Sequence, residues 1–401
     1  MQKKLIIAVS VIAVLAAAFY FLARPAQENR NLSSVIKGAF DNASAQLKYL
    51  IDECEAGDTV RIPMTLKPDG SVKFVRPTSW VSGFFPGTLW YMYEYTGDAY
   101  WAEHARRHTE ILNKIQYNTD SHDVGFMIYC SYGNGLRLKG TEGYEDVIVN
   151  AAKSLCSRFQ SGAGIIKSWD WGARRGWTCP VIIDNMMNLE LLFRASEISK
   201  DSTYFKVAVS HADKTLANHF RPDYSSWHMV DYAPETGEII GKHTVQGYAD
   251  ESAWARGQSW ALYGYTMAYR FTGYQRYLDQ AVHVADFLIH HPNLPEDGVP
   301  YWDYNAPDIP DAPRDAAAGA VMASGLYELY SFTGNKEYLS QADKTLTTLS
   351  TPAYTAAPGT NHGFLLMHSV TNLPEGEDID KPLNYTDYYY LESLLRRRSL
   401  R

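Results

Sequence analysis

Cysteine is scarce: the 401 residues hold four, Cys54, Cys130, Cys156 and Cys179, with no CxxC pair and no metal-binding spacing. A disulfide or zinc scaffold therefore does not organise the chain. The four read most simply as buried thiols, although export would permit disulfides. Charged residues make up only 20% and the balance is acidic, a formal net charge of -8. A general nucleic-acid binder needs a basic surface to neutralise phosphates, so that class is set aside. Any anionic ligand must be held by local cations rather than by a global field. HExxH, Walker, GxSxG and clustered Cys/His motifs are all missing, which leaves metal, nucleotide and serine-hydrolase chemistry without an anchor.

Long apolar runs are also missing, with one exception. Lys3 and Lys4 precede LIIAVSVIAVLAAAFYFL, residues 5–22, a run long enough to cross a bilayer with positive charge on its inner side. The expectation is a targeting element over residues 1–30, either a signal peptide or an uncleaved anchor. The remainder would then be exported, free in the periplasm or held facing the periplasm or cell surface, with membrane contact through that segment alone. No linker interrupts residues 31–401, which read as one large domain.

Aromatics are plentiful. They make up 13% of the chain, with 29 Tyr and 10 Trp, enough for a large aromatic core or for a cleft in which ring faces stack on sugars.

Five stretches share one grammar: YTGDAYWAEHARRHTEIL, EGYEDVIVNAAKSL, KDSTYFKVAVSHADKTL, FTGYQRYLDQAVHVADFL and FTGNKEYLSQADKTLTTL. Each opens on a Gly or Asp/Asn turn, places an aromatic a few residues later, and continues with apolar residues three and four apart. That is a helix end, a tight turn and a new amphipathic helix. The segments GTLWYMYEY, IDNMMNLELLFRASEI, RGQSWALYGYTMAYR and AAAGAVMASGLYELYSF are apolar or small on most faces, as helices covered on both sides must be. Alternating inner and outer helices predict a ring of about six hairpins, an (α/α)6 barrel. Long aromatic and Gly-rich inserts between the pairs argue against an open solenoid and would gather at one mouth.

Three inserts present polar residues where an inner helix begins. YNTDSHDVGF offers His122 and Asp123; CPVIIDNMMNLELLF offers Asp184; QGYADESAWARGQSW offers Gln246, Asp250, Glu251, Arg256 and Gln258. N-capping competes as an explanation for each carboxylate, and best for Asp250. Asp184 resists it, because CPVIIDNMMNLELLF has the look of a helix buried on all sides with the acid in its middle. If Asp123 and Asp184 face each other, ionising one raises the pKa of the other, giving an acid beside a carboxylate. His228 in SSWHMVDY and a forked Arg256 would then hold a negative substrate.

RPTSWVSGFFPGTLWYMYEYTGD, HDVGFMIYCSYG, IIDNMMNLELLF, TVQGYADESAWARGQSWALYG and NYTDYYYLESLL, in this order, resemble the unsaturated glucuronyl hydrolases of glycoside hydrolase family 88. The resemblance implies an (α/α)6 barrel that removes the 4,5-unsaturated uronic acid from the non-reducing end of lyase-generated oligosaccharides. In that chemistry an acid protonates C4, water adds at C5, and the hemiketal opens. It also implies Asp184 as general acid/base with Asp123 as its partner. Substrate would be held by His228, Gln246 and Arg256, with Trp80 and Trp169 as aromatic sugar contacts, and neither metal nor cofactor is needed. In similar enzymes acting on sulfated glycosaminoglycans, a Ser-rich loop ending in Lys binds sulfate. Here the stretch reads MHSVTNLPEGEDID, with Ser369 but no Lys before Lys381. Substrates from ulvan-type as well as glycosaminoglycan chains therefore stay open. The related unsaturated rhamnogalacturonyl hydrolases typically show RGNGW where this chain has RGQSW. A non-catalytic sugar-binding toroid would not need Asp184.

Overall fold

The computed structural model describes residues 32–400. The targeting segment expected over residues 1–30 lies outside the described residues, among which no helix is long and apolar enough to cross a membrane. The chain opens with helix α1 (32–55) and a hairpin of β1 (Ile62–Leu66) and β2 (Val72–Val75), followed by α2 (Phe84–Thr96) and α3 (Ala99–Glu110). Then come α4 (Val124–Ile128), a π-helical turn at Tyr129–Gly133, α5 (Asn134–Lys139) and α6 (Tyr144–Cys156). After the short strands β3 (Phe159–Gln160), β4 (Ile165–Ile166) and β5 (Pro180–Ile182) stand α7 (Asn185–Ser199) and α8 (Ser202–Asn218). Strands β6 (Met229–Tyr232) and β7 (Ile239–His243) lead to α9 (Ala255–Thr272), α10 (Gln275–His290), α11 (Ala316–Thr333) and α12 (Lys336–Leu349). A hairpin of β8 (Ser369–Asn372) and β9 (Glu377–Lys381) precedes the closing helix α13 (Asn384–Ser399).

The turn grammar of the sequence is what starts each outer helix. Gly97, Lys200 and Gly334 end inner helices in the left-handed region, at φ of 71°, 61° and 68°. The next residues, Asp98, Asp201 and Asn335, accept hydrogen bonds from the backbone amides two positions on, which satisfies donors that a helix start leaves free. Outer α10 then buries Tyr277, Gln280, Ala281, Val284, Ala285 and Leu288, the three-and-four spacing of a single apolar stripe. Inner α9, by contrast, is buried without a break from Ala255 to Ala268.

Inner helices α2, α4 with α5, α7, α9, α11 and α13 each touch the next, and α13 packs on both α11 and α2. The ring is thereby closed into an α/α barrel, and the open-solenoid alternative falls. The inner helix expected after Asp123 is present but broken by a π-turn at Tyr129–Gly133, whereas α13, with four Tyr and three Arg among its 16 residues, escaped the helix pattern of the sequence. Its polar groups are nonetheless buried. Glu392 accepts hydrogen bonds from Tyr91, Tyr263 and Ser324 at 2.8, 3.0 and 2.6 Å. Together with Glu190, Glu328, Arg270 and Arg396 it closes the C-terminal end of the barrel around a polar cavity of about 280 Å³.

The inserts read as irregular loops contain paired strands. In the sheet β5-β6-β7 all neighbours run antiparallel, with Ile182 opposite Met229. All four cysteines are free, and burial pushes the thiols of Cys156 and Cys179 up to about 12, so they stay protonated and inert.

Candidate active site

The inner helices present their N-terminal ends, and with them Asp123, Asp184, Arg256 and Asp315, at one mouth of the barrel. CPVIIDNMMNLELLF is not one helix. Residues Pro180–Ile182 are a strand, the helix begins at Asn185, and Asp184 is the hinge between them. The ladder continues one step past the strand, with the Ile183 amide donating to the His228 carbonyl at 2.9 Å. Asp184 is thereby set opposite His228, with 3.9 Å between Oδ2 and Nε2.

Both aspartates occupy the cap positions of their helices, yet neither side chain accepts a helix amide. Capping is therefore not their use. Asp123 Oδ1 lies 3.1 Å from His122 Nε2, and Oδ2 accepts the Ser121 hydroxyl at 3.0 Å. Asp184 Oδ2 is buried without a hydrogen-bond partner. Burial pushes the Asp184 carboxyl up to about 7; the Arg256 charge pulls against this, Asp123 adds to it, and the Trp260 indole pulls down. Near neutrality such a group can both give and take a proton.

His228 is fixed as a neutral donor. Its Nδ1 receives the Val245 amide at 3.0 Å, and a backbone amide can only donate, so the ring proton sits on Nε2. Burial first and then Arg256 push its pKa down to about 3. Nε2–H finds no partner, nor do Trp260 Nε1 and Arg256 Nε. A buried donor left unpaired costs about 1–3 kcal/mol, so several around one carboxyl mark a place where a ligand completes the bonding.

The helices that carry the two aspartates meet at contact distance. The Phe126 amide donates to Asn188 Oδ1 at 2.8 Å, and a methyl added at Gly125 would lie 2.6 Å from Asn188 Cα. Gly125→Ala is expected to cost about 1–3 kcal/mol by overpacking and to lower turnover by moving Asp123 away from Asp184. Thermal melts and initial rates check both.

Other expected residues fall out differently. The fork of Arg256 is spent within the protein: Nη1 donates to Asp315 Oδ2 at 3.0 Å and to the Val370 carbonyl, and Nη2 to the Thr371 carbonyl at 2.7 Å. Nε and the second proton of Nη2 are left for a ligand. Gln246 Nε2 donates to the same Thr371 carbonyl at 3.0 Å. Trp169 is half-buried, 6.0 Å from the His228 ring and stacked on Trp171 at 4.7 Å. Trp80 is half-buried beside Tyr385 and Phe126. Asp250 is no helix cap, since α9 begins beyond Trp254; its Oδ1 accepts the Thr244 amide at 2.7 Å and shapes the loop. Gln258 is buried on the backbone of Ser226, and Glu251 is exposed. Trp260 was missed, although its place four residues after Arg256, on the same helix face, was a usable signal.

Fold and site together define a class: an α/α-barrel enzyme whose mouth carries an acid poised near neutrality among donors that await a ligand. The model of Glycosyl Hydrolase Family 88 matches residues 61–293. An unsaturated glucuronyl hydrolase of Formosa agariphila is 47% identical over 93% of this chain and 93% of its own. An unsaturated chondroitin disaccharide hydrolase of Streptococcus agalactiae is 32% identical over 90% and 91%. The solved structure of an unsaturated glucuronyl hydrolase specific for heparin superposes with a TM-score of 0.87, at 44% identity over 90% of this chain and 96% of that one. The chain belongs to glycosyl hydrolase family 88.

Proposed function

We propose that this chain is an unsaturated glucuronyl hydrolase. It removes the 4,5-unsaturated uronic acid from the non-reducing end of lyase-generated oligosaccharides, with Asp184 as general acid/base. The observation that carries this reading is the Asp184 carboxyl itself, buried, pushed up to about 7, and with an oxygen free of any partner. Its proton goes to C4 of the enol ether. Positive charge then develops at C5 and the ring oxygen, where the Asp123 carboxylate stabilises it. The Asp184 carboxylate takes a proton from the water that adds at C5, and the hemiketal opens and releases the rest of the chain. His228 Nε2–H, Arg256 Nε and the Trp260 indole donate to the oxygens of the uronate, while Trp80 and Trp169 border the sugar. The relatives and solved structure above, named for glucuronyl, chondroitin and heparin substrates, support this reading over the rhamnogalacturonyl one.

For the rest of the substrate, the β8–β9 hairpin argues against sulfate. Ser369 is buried on the Thr386 hydroxyl, and the hairpin carries Glu375, Glu377, Asp378 and Asp380. The substrate we favour carries no sulfate beside the uronate, from a glycosaminoglycan or a rhamnose-linked ulvan-type chain. The six-hairpin count of the barrel is supported by the order of its inner and outer helices. Export through residues 1–30 is supported by the apolar run after Lys4.

The test is loss of the ultraviolet absorbance of unsaturated disaccharides that differ in linkage and sulfation, without added metal. Because the protonated acid is the working form, kcat/KM is expected to fall as pH rises through about 7. A rate that is flat from pH 6 to about 9 would contradict the assignment of Asp184.

A further inference from the structure

We propose that Asp315 is a positioning residue for the proton transfer: it holds the Arg256 guanidinium at the mouth of the barrel and acts on Asp184 through it. The inference rests on Asp184 being the acid.

Asp315 precedes α11 and is fully buried. Its Oδ1 accepts the Ala317 amide at 3.0 Å and the Val370 amide at 3.4 Å, and its Oδ2 accepts Arg256 Nη1 at 3.0 Å. Arg256, from the first turn of α9, also reaches the Val370 and Thr371 carbonyls of β8, and lies over the rings of Trp254 and Tyr385 at 4.6 and 5.5 Å. Two helices and a strand are thus tied together at one ion pair, beside the acid.

Stability alone does not account for the pair, since well-packed apolar residues replace such pairs at little cost. Its distinctive product is a fixed positive charge in a place where water cannot screen it. The charged and titratable groups around Asp184 are Asp123 and His122 ahead of α4, His228 ahead of β6, and Arg256 on α9. Those around Arg256 are Asp184, Asp315, Tyr385 and His228. Arg256 is the one cation among them that opposes the upward push of burial on Asp184. Asp315 fixes where that cation stands and neutralises part of its field.

Opposite signs follow for the two halves of the pair. Removing the Asp315 charge leaves Arg256 less compensated, so the acid ionises at lower pH. Removing Arg256 does the reverse. The experiment is the pH profile of kcat/KM on an unsaturated disaccharide for wild type, Asp315→Asn, Arg256→Gln and the double variant, each checked by circular dichroism. The alkaline limb is expected to move down by about half a pH unit in Asp315→Asn and up by about half a unit in Arg256→Gln. In the double variant it should stay where Arg256→Gln put it, as a cycle through one shared partner requires. A slower Asp315→Asn enzyme with an unmoved limb, or a limb that moves upward, overturns the proposal. If Asp315→Asn does not fold, Arg256→Lys and Arg256→Gln decide: the limb stays in the first, which keeps the charge, and rises in the second. A limb unmoved in both overturns it. Wild type inert on every unsaturated disaccharide overturns the functional reading and this inference with it, whereas an active wild type with unmoved limbs overturns this inference alone.

Discussion

Asp184→Asn is expected to abolish turnover and, in the same preparation, to melt at a higher temperature than wild type at pH 8. The amide has the shape of the carboxyl but no proton to give to carbon and no basicity to draw one from water. A loss of about 10³-fold or more is expected from an acid/base group used in both steps. The gain in stability has a separate origin. The carboxyl ionises near its ordinary value, 3.8, in the unfolded chain but near 7 in the folded one. A group with a raised folded pKa favours the fold fully below the unfolded value and loses that contribution as pH rises through the folded value. Above about pH 7 the wild type therefore carries an ionised carboxylate in a buried place, a cost on the order of 4 kcal/mol that asparagine does not bear. The difference between the two melting temperatures should shrink as pH falls from 8 to 4. Retained activity, or a variant less stable than wild type at pH 8, would contradict the role given to Asp184.

The outer helices were legible because a turn and a stripe are local facts. Asp98, Asp201 and Asn335 cap as their sequence context predicts, and α10 buries its three-and-four spacing. The inner ring was legible only where its residues are apolar. In α13 the hydroxyls of Tyr388 and Tyr390 and the carboxylates of Asp387 and Glu392 read as polar, yet all four residues are buried because their partners come from elsewhere in the chain: Tyr91 and Asn134, Ser350, the Leu365 and Leu366 amides, and Tyr91, Tyr263 and Ser324. No window of sequence contains those partners. The site shows the same division. Asp184 stood out, since an acid among Ile182, Ile183, Met186 and Met187 needs a reason. That it sits at a hinge between strand and helix, rather than inside a helix, depends on strand β6 some 45 residues later. Arg256 was legible as a cation near the acid. That its fork is spent on Asp315, Val370 and Thr371 is set by the packing of α9 on α11 and β8, which spacing cannot report.

Glu392→Ala is expected to be the most destabilising single change away from the mouth. The carboxylate receives hydroxyl protons from Tyr91 and Tyr263 on one oxygen and from Ser324 on the other, so α2, α9 and α11 are all held to α13 by one side chain. Arg396 stands 3.5 Å away and is shared with Glu328 at 2.8 Å. Truncation leaves the Tyr263 and Ser324 hydroxyls without that acceptor, Tyr91 with Tyr388 alone at 2.9 Å, and Arg396 short of a counter-charge. Removing one partner from a buried ionic cluster typically costs about 3–5 kcal/mol, a large part of the stability of a single domain. Glu392→Gln separates the two contributions. It keeps the shape and one carbonyl acceptor, but its amide meets the remaining hydroxyls donor to donor, so a loss between wild type and alanine is expected. Denaturant midpoints of the three proteins check the order. Because Glu392 and its hydroxyl partners lie midway along the inner helices and Asp184 at an N-terminal end, variants that still fold should keep the pH profile of wild type while losing stability. A shifted profile would mean that the cluster communicates with the site, through the Tyr389 ring that meets both Tyr263 and Trp260.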